Sequence, residues 1–316
     1  MSTLSRIVAC CAFALALAVP AHAAEQTVRV VTGSARGAYY PLGVALADMI
    51  GDTMKVKASV QTTRRSFEIL DLLQSGRAEI AFAPADSLSH AWRGREQAGF
   101  KAPFDKLRGI AALYPNYIHI IVRADSGITT LVELKGKRIS VGPQKSPIEL
   151  NARAIFAAAG LSYPDFANVA YLPFGESIEL LKDRKVDVIL HSAELDTSTL
   201  RDLAKNLPVV IVPIPVEVTR KIADPAYVAA AIPAGTYRGQ TTDVPTVALQ
   251  NYLVTREGVS VELAYAMTRA LWTGLEQLVT AHPAAKAIEL GHALDAMPVP
   301  LHPGAARYYK EMGLIR

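Results

Sequence analysis

The chain has 316 residues, 51% of them hydrophobic and 20% charged, and its 33 Lys and Arg against 29 Asp and Glu leave a net charge of +4. That much apolar material excludes a disordered chain and suffices for one large domain or two. The small cationic excess is spread without a basic tail or stripe, which argues against nucleic acid as a partner.

Arg6 precedes an apolar run from Ile7 to Val19, followed by Pro20 and Ala21-His22-Ala23. Residues 1–23 therefore read as a secretory signal peptide cleaved after Ala23, and the mature chain as an exported, periplasmic protein. The run is shorter than the roughly 20 apolar residues that a membrane helix requires. Both cysteines, Cys10 and Cys11, fall in this segment. The mature chain is thus expected to lack a disulfide, a thiolate metal site and a cysteine nucleophile.

Four segments share one pattern: a short β-branched strand, a loop of small or polar residues, then an amphipathic helix. The first runs from strand Val28–Thr32 through Gly33, Ser34 and Gly37 into a helix carrying Leu42, Leu46 and Ile50. In the second, strand Val56–Gln61 leads to Thr62, Thr63, Arg64 and Arg65, with Ser66 expected to cap a helix that stops at Gly76. The third runs from Arg138–Val141 through Gly142-Pro143-Gln144-Lys145 to Ser146-Pro147-Ile148-Glu149. That sequence offers a capping residue, proline at the first helical position and glutamate three after the cap. The fourth has strand Val169–Phe174, then Gly175-Glu176, with Ser177 expected to open a helix.

A strand–helix–strand unit thus occurs twice, which suggests two α/β lobes with largely parallel sheets. Two long β-runs, Tyr117–Arg123 and Thr246–Thr255, supply the crossings between them. Lobe I is expected to hold residues 24–118 and 251–316, and lobe II residues 119–250.

All four loops fall at carboxyl ends of strands and at helix N-termini, where unpaired N–H groups favour anions and where open α/β sheets bind ligands. Arg36, Arg64, Arg65 and Lys145 lie in these loops, and guanidinium forks suit carboxylates. Tyr39 and Tyr40 follow the first loop; two adjacent tyrosines at a helix start cannot both face the core, so one is expected to point into a cleft with its hydroxyl free. His191 ends an apolar strand and is a candidate pocket group, as are Asp86 and Glu176. Gly33 to Gly37 lacks the spacing of a dinucleotide fingerprint, and no phosphate loop, nucleophile elbow or zinc-protease motif is present. His282, His292 and His302 stand ten apart in Pro- and Ala-containing segments and read as loop or capping residues rather than metal ligands. No cofactor, metal or catalytic group is expected.

From about Val28 to Arg316 the chain resembles the TAXI family, the substrate-binding proteins of a class of TRAP transporters. The residues that carry this are Thr32-Gly33-Ser34 with Gly37 and Tyr39-Tyr40-Pro41-Leu42-Gly43; Ala111-Ala112-Leu113-Tyr114-Pro115; Leu134-Lys135-Gly136-Lys137-Arg138-Ile139-Ser140-Val141-Gly142; and Pro298 to Ala305 with Arg307-Tyr308-Tyr309. The resemblance implies a type II periplasmic binding protein, two α/β lobes joined by hinge strands with a ligand cleft between them. It also implies a small carboxylate ligand and a membrane permease as partner. Where the family usually reads T-G-G-S, this chain has Thr63-Arg64-Arg65-Ser66, and a second glycine–serine loop is replaced by Gln144-Lys145-Ser146-Pro147. The usual glutamine-serine-aspartate is reduced to Pro84-Ala85-Asp86.

Cations in place of neutral glycine favour a dianion. The expectation is a monomeric, non-catalytic receptor for a dicarboxylate of four or five carbons such as 2-oxoglutarate, with glutamate or a related amino acid as the alternative and an exported hydrolase as a remote one. Its expected ligand-binding residues are Thr32, Gly33, Ser34, Tyr39, Tyr40, Thr63, Arg64, Arg65, Ser66, Asp86, Gln144, Lys145, Ser146, Glu176 and His191.

Overall fold

The computed structural model describes residues 27–316 except Arg36, Arg64 and Arg65. The signal segment with its cleavage point, both cysteines and those three arginines lie outside the described residues.

The strands are β1 (Thr27–Thr32), β2 (Lys57–Thr62), β3 (Ile80–Pro84), β4 (Leu107–Arg123), β5 (Arg138–Ser140), β6 (Asn168–Ala170), β7 (Val188–Ala193), β8 (Val209–Ile211), β9 (Tyr227–Ile232) and β10 (Val244–Arg256). Helices α1 (Tyr39–Met54), α2 (Ser66–Gln74) and α3 (Ala85–Arg93) alternate with the first strands. Helices α4 (Pro147–Ala158), α5 (Phe174–Lys182), α6 (Ser198–Asn206) and α7 (Val216–Arg220) do so with the later ones. The chain closes with α8 (Val261–Thr273), α9 (Leu275–Ala281) and α10 (Pro303–Glu311).

One ten-stranded sheet runs β2-β1-β3-β10-β4-β7-β5-β6, with β8 on β4 and β9 on β10. Its two ends are built alike. At one, β2, β1 and β3 are parallel and β10 joins β3 antiparallel; at the other, β6, β5 and β7 are parallel and β4 joins β7 antiparallel. The long strands β4 and β10 pair with each other in the middle, from Ala248 opposite Tyr117 to Arg256 opposite Leu107. Their register slips between Gln250 and Tyr252, so Asn251 faces a bulge where two residues of β4, Leu113 and Tyr114, oppose one. Pro115 sits at that point, which is where a residue without an N–H is tolerated inside a sheet.

Alternation along the strands sorts side chains onto two faces. On one face a single apolar layer runs the length of the sheet, from Val31, Ala81 and Leu70 through Ala112, Ile118 and Val247 to Ile139, Val188 and Phe156. On the other face the core is divided. Val30, Phe82, Leu46, Met267 and Tyr309 form one part, and Ile121, Ile189, Leu181 and Leu203 the other. The loops gather in the gap between these two parts.

Several local expectations are corrected. Ser66 stands inside α2 as its first residue instead of capping it. Helix α5 begins at Phe174, three residues before Ser177, because Pro173 provides an extended residue before a helical one. Ser177 is therefore an interior helical residue whose hydroxyl donates to the Pro173 carbonyl at 3.0 Å, and Gly175 and Glu176 belong to the first turn rather than to a loop. Ser146 does cap α4, accepting from the Glu149 N–H at 3.3 Å with Pro147 next in line. Glu149, however, reaches past the cap to the Lys145 N–H at 3.2 Å and to the Tyr163 hydroxyl at 2.8 Å.

Helix α10 lies directly on α8. A Cβ added at Gly304 would stand 2.3 Å from the Val261 carbonyl oxygen and 2.6 Å from the Tyr265 nitrogen, both backbone atoms that cannot rotate away. Gly304→Ala is expected to cost about 2 kcal/mol by overpacking. Urea unfolding measures it, and a midpoint unchanged from wild type would show that the helices can part freely.

Candidate functional site

The gap holds a cleft of about 1020 Å³. Loops at the carboxyl ends of β1, β3 and β7 line it, together with the first residues of α4 and α5 and the middle of β4. Among the predicted residues, Gly33, Ser34, Tyr39, Asp86 and His191 line this cleft. Arg64 and Arg65 lie outside the described residues; Thr32, Tyr40, Thr63, Ser66, Gln144, Lys145, Ser146 and Glu176 do not stand in the lining, and several of them are committed elsewhere. Thr32 is fully buried, and its carbonyl accepts from both the N–H and the hydroxyl of Thr63, at 3.0 and 3.2 Å. Ser146 is spent as the cap of α4, while Gln144 and Lys145 are exposed, Lys145 in the left-handed region at φ 60°. Glu176 is exposed on α5, and Tyr40 and Ser66 are half-buried outside the lining.

Tyr39 reaches the cleft with its ring stacked on Phe82, centroids 5.3 Å apart. Its hydroxyl is not free, contrary to the sequence expectation: it donates to the Oδ1 of Asn251. The bulge is the reason. Asn251 is fully buried at the slip in register, and its Nδ2 donates to the Tyr114 carbonyl at 2.8 Å, so its oxygen needs a donor as well.

Asp86 opens α3 and is 2% exposed. Burial pushes its carboxyl above the usual range, opposed by the nearby His90, by the Ser87 N–H at 2.5 Å and by the Asn151 side chain. Asn151, on α4, also accepts from the Tyr227 hydroxyl at 2.7 Å. A buried polar chain thus joins α3 to α4 and β9 across the cleft floor. Farther along α3, the Ser89 hydroxyl donates to Asp224 at 3.1 Å, and Arg93 lies 3.7 Å from the same carboxylate.

On the opposite wall Phe174 stacks flat on His191, with centroids 3.7 Å and planes 4° apart. Burial, and then the charge of His119, hold the His191 imidazole down at about 3, so it is neutral. His119 pairs with it across β4 and β7. It is fully buried, with Nδ1 2.9 Å from the Tyr117 carbonyl and Nε2 2.9 Å from the Tyr237 hydroxyl. Glu194, Asp196 and Arg201 follow on the β7–α6 segment, where Arg201 donates to Asp196 at 3.0 Å.

Sequence reasoning missed the floor. Tyr114 and Asn116 line the cleft, and the Tyr114 hydroxyl and Asn116 Oδ1 are buried with no hydrogen-bond partner among the described residues. Burial and the charges of Tyr39 and Glu194 push the Tyr114 phenol well up, so it keeps its proton. Two signals were there to find these groups: a proline between two polar side chains in an apolar run, and the polar pair Gln250-Asn251 in another. Among the described residues no group of three or more His, Cys, Asp or Glu side chains converges to hold a metal ion, and no helix is long and apolar enough to cross a membrane.

Comparison with known proteins gives the family. The model of the NMT1-like family matches residues 30–313. The chain belongs to the NMT1-like family. This NMT1-like chain is also similar in structure to a periplasmic sulfonate-binding protein SsuA from Methylobacillus flagellatus KT, with a TM-score of 0.56 at 12% identity, over 92% of this chain and 95% of that one. A TctC solute-binding protein from Polaromonas gives 0.55 at 15% identity, over 92% and 98%. SsuA of Escherichia coli, described as an aliphatic sulphonate binding protein, gives 0.50 at 14%, over 90% and 78%. These likenesses make the fold of the NMT1-like chain that of a type II periplasmic binding protein.

Proposed function

We propose that this protein is the periplasmic solute receptor of a secondary transporter of the TRAP type, TAXI class, and that it captures a small organic acid in the cleft and delivers it to membrane permease subunits without catalysing a reaction. The observation that carries this is the cleft itself: strand ends and helix starts from both ends of the sheet converge on it. Family, fold and the signal-like residues 1–23 support the same reading. Residues 24–118 with 251–316, and 119–250, are proposed to act as two lobes that close about β4 and β10, the ligand shifting the population toward the closed form.

For the ligand, a dicarboxylate of four or five carbons is supported by Arg64 and Arg65, which follow Thr63 at the end of β2. An amino acid such as glutamate is favoured by a different observation, that Asp86 and Glu194 line the cleft and offer acceptors to an ammonium group. Thermal shift of the mature protein against panels of dicarboxylates and amino acids tests the reading. A true ligand at 100 times its dissociation constant is expected to stabilise by about 2.7 kcal/mol. If no organic acid shifts the melting temperature, or if a binder is turned over, the receptor reading fails.

A further inference from the structure

Helix α3 carries two faces of different character. Leu88, Ala91 and Trp92 pack into the apolar layer common to the whole sheet. Asp86, Ser89 and Arg93 stand three and four residues apart, which places them in one row along another face. Every member of that row meets a residue from the 119–250 stretch. Asp86 is hydrogen-bonded by the side chain of Asn151. The Ser89 hydroxyl lies 3.1 Å from both carboxylate oxygens of Asp224, and the Arg93 guanidinium is 3.7 Å from one of them.

The seam is buried as well as polar. Asp86 is 2% and Ser89 1% exposed, and the Asp224 side chain only 13%. Asp224 is anchored on its own side too, accepting from the Ala226 N–H at 3.0 Å in the turn between α7 and β9. An apolar seam would hold two units together by the area it buries. Hydrogen bonds trade for bonds to water when a seam parts, so each is worth only about two- to tenfold in an equilibrium. That suits a contact that forms and breaks, and interfaces between mobile domains are correspondingly polar.

We infer that Asp224 is a clasp between the two lobes: it fastens the α7–β9 turn of one to α3 of the other and sets how readily the cleft opens. This rests on the reading of residues 24–118 with 251–316, and of 119–250, as lobes that move. Asp86, one turn of α3 before Ser89, lines the cleft, as does Asn151. The lobes part there only when the bonds to Asp224 and the bond between Asp86 and Asn151 are given up together. Asp224, Ser89 and Arg93 themselves do not line the cleft. Their effect on a ligand is therefore exerted through the population of the closed form, since the apparent dissociation constant rises as that population falls.

Solution scattering of the ligand-free protein tests it. Asp224→Ala is expected to have a larger radius of gyration than wild type, at unchanged far-ultraviolet circular dichroism. Ser89→Ala leaves the turn around Ala226 intact and should expand the protein in smaller measure, with no further expansion when added to Asp224→Ala. Calorimetry with an organic acid that binds wild type should show about tenfold weaker binding to Asp224→Ala. Asp224→Asn keeps an acceptor for Ser89 and should fall between. A free-protein radius of gyration identical to wild type in both Asp224→Ala and Ser89→Ala overturns the clasp, whatever the affinities. Unaltered affinity alongside an expanded radius overturns its link to the cleft. If no acid binds wild type, the receptor reading fails, and the scattering comparison still decides whether Asp224 holds the two parts of the chain together.

Discussion

Asn251→Ala is expected to lose about 4 kcal/mol of stability and to weaken ligand binding together with it. The side chain is fully buried at the β4–β10 bulge, where its amide donates to the Tyr114 carbonyl at 2.8 Å and its oxygen accepts from the Tyr39 hydroxyl. Alanine leaves one buried carbonyl and one buried hydroxyl unpaired, at about 1–3 kcal/mol each, and a small cavity besides. Both orphaned groups belong to residues that line the cleft, so the Tyr39 ring and the backbone under Tyr114 lose their anchor. Urea unfolding gives the first effect and calorimetry with any ligand found by the panel gives the second. A stability loss under about 1 kcal/mol would mean that water or a shifted backbone replaces Asn251, and the bulge would no longer account for the position of Tyr39.

The second large effect is on stability at acid pH. Burial holds the His119 imidazole down at about 4, against a value near 6.5 in an unfolded chain. Between these two values the unfolded chain binds a proton that the folded chain refuses, so stability falls as pH falls from about 6.5 to about 4 and levels off below. The difference corresponds to about 3 kcal/mol. His191, held down at about 3, acts in the same direction over an overlapping range. Asp86 acts in the opposite sense: its raised carboxyl takes up its proton earlier in the fold than in the open chain, which favours the folded state as pH falls. Comparing wild type with His119→Gln removes the Asp86 contribution and the part of the His191 contribution that comes from burial, which leaves His119 and its charge effect on His191. The variant should keep a hydrogen bond toward Tyr237 and lose about 3 kcal/mol less than wild type between pH 7 and pH 4. Parallel stability curves for the two proteins would show that His119 is protonated in the fold or reached by solvent.

The architecture was legible because its signals are local and periodic. β-branched runs followed by small-residue loops marked β1, β2, β5 and β6, and Ser146-Pro147-Ile148-Glu149 marked the start of α4 in correct register. The ends of β4 were not legible. The β-run in the sequence is Tyr117–Arg123, whereas the strand begins at Leu107 and passes through Pro115 at a bulge, a residue that ordinarily argues against a strand interior. The floor of the cleft is hidden with it, because Tyr114 and Asn116 lie before that run in the sequence yet form the middle of the strand.

Loop cations drew attention for the opposite reason. Charge is conspicuous in a sequence, but whether a side chain turns into a cleft depends on backbone dihedrals that composition does not carry. Lys145, at φ 60° beside the capped start of α4, is exposed and outside the lining. Tyr39 illustrates the same limit in reverse. The helix start places one of Tyr39 and Tyr40 at the cleft without saying which, and the hydrogen bond that holds Tyr39 there depends on Asn251, 212 residues away.

The two long strands have a consequence for how the molecule comes apart. β4 places Ile110 and Leu113 in the divided core at one end of the sheet and Ile121 in that at the other, while Ala112, Ile118 and Ile120 belong to the layer common to both. Neither end can melt without stripping a strand from its neighbour. Unfolding is therefore expected to be cooperative over the whole sheet, as a single transition seen alike by circular dichroism and tryptophan fluorescence would show. Energy gained by a small molecule in the cleft is felt throughout the chain, including at α10, far along the sequence from the loops that hold the ligand.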